Sequence, residues 1–196
     1  KSTNPKNPNS DNELPEGWKK VKIRELGKIE TGTTPPKSNP EYYSDEFPFY
    51  KPTDLEAGEN VIKSNDGLSK LGVEKARFVP EFSTLVTCIG ATIGKTGFIK
   101  KGGGFNQQIN AIIPNDLVIP KFIYFQAISP MFQGQIKESA SATTLPILNK
   151  GRFEILKMVI CSKSEQQHIV SEIENRLSVC DKIEESITTS LHQAEA

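Results

Sequence analysis

The chain has 196 residues, 36% of them hydrophobic, and its 24 Lys/Arg exactly balance its 24 Asp/Glu. That size and apolar content suit one core-bearing domain, or one domain with an appendage. No apolar run approaches the roughly 18 residues of a membrane span, and three scattered cysteines (Cys88, Cys161, Cys180) offer neither metal-ligand spacing nor a disulfide framework. Reduced cysteines predict a cytoplasmic protein, and a polar start with Lys1 in place of Met predicts a fragment without a signal peptide. Zero net charge speaks weakly against nucleic acid, but the charge is unevenly placed. From Lys163 onward three Lys/Arg face seven Asp/Glu, so that part carries −4 and residues 1–162 carry +4. A mildly basic head permits DNA contact.

Residues 1–13 are polar, with two Pro and four Asn, and read as a disordered tail or linker. After the Leu14-Pro15-Glu16-Gly17 turn, Trp18, Val21, Ile23 and Leu26 predict a short strand or amphipathic turn, with Trp18 as a core anchor. Residues 29–37 are rich in Gly, Thr and Pro and read as a loop. Phe47 to Tyr50 predict a buried strand, with Lys51 to Asp54 as the loop after it. Phe82 to Ile89 are β-branched and aromatic, a strong strand pattern. Gly90 to Gly94 read as a tight turn, Thr96 to Ile99 as the returning strand, and Lys100 to Gly104 as its closing turn. Phe105 to Ile113 predict a further strand with a polar centre.

Pro120 to Phe132 have helical spacing limited by Pro130, and residues 133–139 extend that helix with a kink. Residues 141–146 read as a loop and 152–160 as an alternating strand. The last stretch, from Ser164 to Ala194, has neither Gly nor Pro. Its apolar residues Val170, Ile173, Leu177, Cys180, Ile187, Leu191 and Ala194 are spaced mostly three and four apart, a heptad seam. The predicted helix is roughly 45 Å long, with Ser164 as N-cap and Glu165 in its first turn. Nothing follows to cover the stripe, so another protein or another segment is expected on it. Glu184 falls at a core position of the seam, with Ile183 beside it.

Motifs for catalysis are weak. Gly90 to Thr96 resembles a phosphate-binding loop, but the position five before Gly94-Lys95-Thr96 holds Ile89, and a strand-like stretch follows; a hairpin turn fits better. Asn39-Pro40-Glu41-Tyr42 resembles a methyltransferase box but lacks the second Pro and a Gly-rich cofactor loop, and reads as an exposed turn. His168 and His192 both lie on the stalk, with no triad or metal spacing. The polar turns are more informative. Thr31, Thr33, Thr34, Lys37, Lys51, Thr53, Asp54, Thr92, Lys95, Asn106, Gln107, Gln108, Ser141, Thr143 and Thr144 all sit in or beside turns. Such side chains form turns, but they also contact base edges and phosphates.

Taken in order, the pieces resemble the specificity subunit of type I restriction-modification enzymes. They are Leu14-Pro15-Glu16-Gly17-Trp18, Thr31-Gly32-Thr33-Thr34-Pro35, Lys51-Pro52-Thr53-Asp54-Leu55 and Ile89-Gly90-Ala91-Thr92-Ile93-Gly94. Asn106-Gln107-Gln108-Ile109, Thr144-Leu145-Pro146 with Lys150, and Glu165-Gln166-Gln167-His168-Ile169-Val170 complete the series. The resemblance implies two target recognition domains per full-length subunit, each followed by a long helix; the helices pair antiparallel and set the gap of a bipartite DNA site. This sequence has one domain and one helix, as a half-length form or a fragment.

The implied fold is α+β: a mixed α/β target recognition domain (14–162) with many short strands, followed by a long coiled-coil helix (163–196). The implied function is sequence-specific recognition of one half of a bipartite site in double-stranded DNA. Partners would be the methyltransferase and restriction subunits, plus a second copy or second half through the coiled coil; no membrane is involved. The chain itself would be non-catalytic and hold no cofactor or metal, with S-adenosylmethionine and ATP bound by partner subunits. Lys37, Lys51 and Lys95 are candidates for phosphate contacts, and Thr33, Thr34, Thr92, Gln107, Ser141 and Thr143 for the reading surface. Val170, Ile173, Leu177, Cys180, Ile187 and Leu191 are candidates for the dimer interface. Motifs shared across such a family cannot distinguish targets, so regions 36–46, 56–80 and 133–143 are expected to carry specificity. Two other readings stand beside this one: a coiled-coil protein-interaction scaffold without DNA binding, and an enzyme with a site assembled from loops.

Overall fold

The computed structural model describes residues 14–141 and 145–195, so the predicted tail 1–13 lies outside it. In chain order come β1 (Lys19–Lys22), α1 (Ile23–Leu26), β2 (Gly27–Thr31), β3 (Phe47–Tyr50), β4 (Asp66–Leu68), α2 (Lys70–Lys75) and β5 (Phe78–Val79). Next are β6 (Thr84–Thr87), β7 (Thr96–Phe98), β8 (Gly103–Phe105) and β9 (Ile109–Pro114). Helices α3 (Pro120–Ile128), α4 (Pro130–Ser139) and α5 (Lys150–Phe153) lead to β10 (Lys157–Ile160) and the long α6 (Lys163–Glu195). The α+β class with a long C-terminal helix is the one the sequence predicts.

Two four-stranded sheets build the head. The first, β2-β9-β6-β7, is antiparallel throughout. The second, β4-β3-β8-β5, has a parallel β3–β8 pair at its centre. β1 pairs with β10 and ties the start of the head to its end. The first sheet is covered on both faces. Val86, Ile112 and Ile29 face a cluster shared with Phe122, Ile123, Phe132, Phe153 and Met158, while Leu85, Ala111 and Ile109 face Tyr50, Leu55, Val61 and Phe105. β6 (TLVT) is buried at all four positions, and its legibility comes from β-branched and apolar residues on both faces.

Several boundaries differ from the sequence reading, some for local and some for tertiary reasons. The predicted loop 29–37 yields Ile29 to Thr31 to β2, paired with β9, so the loop proper begins at Gly32. The strand expected over 82–89 shrinks to Thr84–Thr87, because Phe82 takes a positive φ of 63°. The expected strand 105–113 is interrupted at Asn106 to Gln108, a turn between β8 and β9. Within the expected closing turn, Gly103 and Gly104 are strand residues. A Cβ on Gly103 would lie 2.4 Å from the Pro48 carbonyl oxygen, so only glycine lets β3 and β8 approach this closely. The expected strand 152–160 is a helical turn followed by β10, because Asn149 caps α5 by accepting from the Arg152 amide (2.9 Å). At 120–139 the kink is a clean break: Ser129 ends α3 and caps α4.

α6 spans 33 residues, about 50 Å. Its cap is Ser162 rather than Ser164: the Ser162 hydroxyl accepts from the Glu165 amide (3.3 Å) and its carbonyl from Gln166 (2.9 Å). The first turns of α6 are seated in the head. Gln166 is fully buried, and its side-chain oxygen accepts from the Ile119 amide (2.8 Å). Its amide group donates to the carbonyls of Cys161 (2.9 Å) and Leu117 (3.2 Å). The Trp18 indole N–H donates to Glu165 (2.9 Å), and the Lys121 amine joins Glu59 (3.1 Å) to Glu174. Val170 is 3% exposed and belongs to the head core, which corrects its assignment to a dimer interface. The seam repeats at intervals of three and four whether its cover is the same chain or another, so spacing alone could not separate the two. Ile173 is half-buried, whereas Leu177, Cys180, Ile187 and Leu191 are exposed, as are Ile183 and Glu184.

Candidate nucleic-acid interface

Strand direction gathers the polar turns at one end of the head. β2 ends there at Thr31, β6 ends at Thr87, and the antiparallel β7 and β9 begin there. β3 and β8 run parallel and finish side by side, the Asn106 amide donating to the Tyr50 carbonyl (3.0 Å). Loops 32–37, 51–54, 88–95 and 106–108 therefore share one end. The segment around 145–148 joins them through the Ile89–Ile147 bridge and a Gly90 amide bond to the Pro146 carbonyl (3.0 Å).

A buried set of polar groups holds these loops. The Asp54 carboxylate accepts from the Lys51 amide (2.7 Å) and from both the amide and the side chain of Asn65 (3.0 and 2.9 Å). Buried Asn106 accepts from the Gln108 amide (3.1 Å) and donates to the Gln108 side chain (2.9 Å). Gly32 lies against Asn106, where an added Cβ would stand 2.1 Å from its carbonyl oxygen. The β6–β7 turn rests on α4, since the Gln133 side chain donates to the Gly94 carbonyl (2.9 Å). The turn resembling a phosphate-binding loop is thus a hairpin turn, with Gly90 and Gly94 at positive φ and a strand after it.

The candidate residues occupy different situations on this end. Thr34 and Gln107 are exposed and joined, the Thr34 hydroxyl donating to the Gln107 side-chain oxygen (2.6 Å). Thr33 is half-buried, and its hydroxyl accepts from the Arg77 amide (3.0 Å). Thr92 is exposed in the hairpin turn, where its carbonyl accepts from the Lys95 amide (3.0 Å). Lys37 is exposed and has no ion pair among the described residues. Lys51 is paired with Asp66 (2.5 Å) and Lys95 with Glu56 (2.6 Å). The Ser141 hydroxyl accepts from the Ile147 amide (3.0 Å) and so holds its own loop. Thr143 lies outside the described residues.

Beside the loops, Glu30 on edge strand β2 binds Lys28 (2.8 Å) and Arg77 (2.9 Å) through its two oxygens. The Lys28 hydrogen bond, aided by the charges of Lys28, Lys150 and Arg77 and opposed by burial, holds the Glu30 carboxyl below its ordinary range. Burial pushes the Cys88 thiol up to about 12, which keeps it protonated and unreactive at neutral pH. Among the described residues, no three His, Cys, Asp or Glu side chains converge to hold a metal ion, and no helix is long and apolar enough to cross a membrane.

Residues 15–193 match the family model of the type I restriction modification DNA specificity domain. The chain belongs to that family. It is 35% identical over 172 residues to the specificity subunit of the type I restriction enzyme HindI of Haemophilus influenzae, covering 84% of this chain and 37% of that one. Among solved structures, a chain of a type I restriction-modification system superimposes with a TM-score of 0.70 at 18% identity, over 96% of this chain and 46% of that one. The HsdS subunit from Thermoanaerobacter tengcongensis superimposes with a TM-score of 0.67 at 16% identity, over 90% and 42%. The chain thus spans less than half the length of these relatives.

Sequence reasoning missed Arg77 and Lys28, which lie outside every quoted motif; Lys28 sits two residues from Glu30 on β2, whereas Arg77 meets Glu30 only through the fold. Asp54 and Asn106 stood among the polar turn residues; their burial separates them, as supports of the surface, from exposed residues such as Gln107. Burial of a polar side chain depends on what the rest of the chain lays over it, and no local pattern encodes that.

Proposed function

We propose that the head recognises one half of a bipartite double-stranded DNA target, and that it positions methyltransferase and restriction subunits on that DNA. The observation that carries this reading is the convergence of five polar segments from distant parts of a family-matched chain at one end of the two sheets. Exposed Thr and Gln side chains there offer donors and acceptors to base edges, and the basic residues offer contacts to phosphates. The distal half of α6, with Leu177, Cys180, Ile187 and Leu191 uncovered, pairs antiparallel with a second copy or second half. Two heads then read a symmetric or composite site. Methyl transfer from S-adenosylmethionine and ATP-driven cleavage belong to the partner subunits, and this chain is their non-catalytic guide in the cytoplasm.

Mapping of methylated sites with the partner subunits present tests the reading. The expected result is one interrupted motif whose half-site changes when the regions 36–46, 56–80 and 133–143 are exchanged for those of a relative. If the assembled complex shows no preference among duplex sequences, recognition by this chain is wrong.

A further inference from the structure

We infer that Lys28 and Arg77, clasped on the Glu30 carboxylate of β2, form a contact site for DNA backbone phosphates at the flank of the reading loops; this rests on the DNA-recognition reading above. Three observations carry it. First, position: Glu30 directly precedes Thr31 at the loop end of β2, and the Arg77 amide donates to the Thr33 hydroxyl on the next loop (3.0 Å). Second, geometry: each Glu30 oxygen holds one cation, Lys28 at 2.8 Å and Arg77 at 2.9 Å, so two positive charges stand over one negative. Third, layering: the Glu30 side chain is 16% exposed, whereas Arg77 is 49% and Lys28 71% exposed, so the cations face outward and the anion lies beneath them.

The ion pairs of Lys51 and Lys95 are layered the other way. Lys51 is 33% exposed over an Asp66 that is 45% exposed, and Lys95 is 23% exposed beside a Glu56 that is 72% exposed. An approaching phosphate meets a carboxylate first at both places. At Glu30 it meets a guanidinium and an ammonium already held in place by a shared counter-charge. Arg suits this role because its planar fork binds phosphate through two parallel bonds while one edge stays on Glu30.

The test measures binding of a random-sequence duplex to the full chain assembled with its methyltransferase subunit, across about 50 to 200 mM salt. Each phosphate contact adds about 0.9 to the slope of log affinity against log salt. Lys28→Ala with Arg77→Ala is expected to flatten that slope by about 1.8, with the methylated motif unchanged because phosphate contacts carry no sequence information. Lys28→Arg with Arg77→Lys keeps both charges and the slope. Lys19→Ala with Lys20→Ala, both exposed at the start of β1 and away from the loop end of β2, removes the same charge and leaves the slope near the wild-type value. A double alanine variant that folds and keeps the full slope overturns the inference while leaving DNA recognition standing. An equal loss from the β1 pair also overturns it, since net charge alone would then account for the effect. A wild-type complex whose affinity is flat in salt overturns both this site and the DNA reading.

Discussion

Glu30 is where one side chain has the widest reach. It accepts from two cations on different elements and couples edge strand β2 to the segment after α2. Its carboxyl titrates below the ordinary value of 4.5 in the folded chain, chiefly through the Lys28 hydrogen bond. The unfolded state therefore binds the proton first as pH falls, and the stability this site supplies is complete above that ordinary value and lost as pH drops through the lower folded one. Because both cations are largely solvated, the effect is expected to stay under about 1 kcal/mol. Urea unfolding midpoints between neutral and acidic pH check this: Glu30→Gln should remove part of the acid-side slope, and an identical pH profile would show that the clasp contributes nothing. Asp54 and Asn106 act differently, as buried acceptors whose partners are loop amides, so their loss would disorganise the end where the polar loops converge.

At the scale of elements, α6 has two halves with different surroundings. Gln166, Ile169, Val170 and Ile173 lie on the head, and the turns beyond them project their apolar residues into solvent. Gln166 is the joint: a fully buried amide satisfying one amide donor and two carbonyls on both sides of the α6 start. Gln166→Ala strands those groups away from water and is expected to destabilise the chain by about 2–4 kcal/mol. The readout is a lower urea midpoint at unchanged dependence on denaturant. A change below about 0.5 kcal/mol would mean that the head and α6 are not coupled through this residue.

For the whole molecule, the seating of α6 fixes the base of the helix that acts as a ruler in the proposed pairing. Its base is fixed to the head by Gln166, by the Trp18–Glu165 bond and by the Lys121 bridge to Glu59 and Glu174, so the helix direction is set relative to the converging polar loops. In the proposed antiparallel pairing, the free length of α6 sets the distance between two heads. Deleting residues 181–187 removes one heptad and keeps the seam in phase. The recognised gap should then shorten by about 10.5 Å, or about three base pairs, with the half-site bases unchanged. Methylation mapping reads both outcomes at once, and an unaltered gap reduces the helix to a handle for association.

What the sequence determined by itself was periodic or local. The α6 stripe, the doubly buried β6, the hairpin turn at Gly90 to Gly94 and the Pro130 break all follow from patterns within a few residues, because backbone preferences and burial of a single face act at that range. The order of short polar motifs was legible too, and with it the family. Only the tertiary structure decided which apolar residues of the stripe are covered by the chain's own head. Val170 and Leu177 occupy equivalent seam positions; one meets Phe122 and Ile123 in the head core, the other meets solvent. Only the fold separated Asn106 and Asp54, buried supports, from Thr34 and Gln107, exposed at the same end of the head. It alone brought Arg77 to Glu30. Partners distant in sequence are chosen by how sheets and helices stack, and the free energy of that stacking is a property of the whole core rather than of any segment.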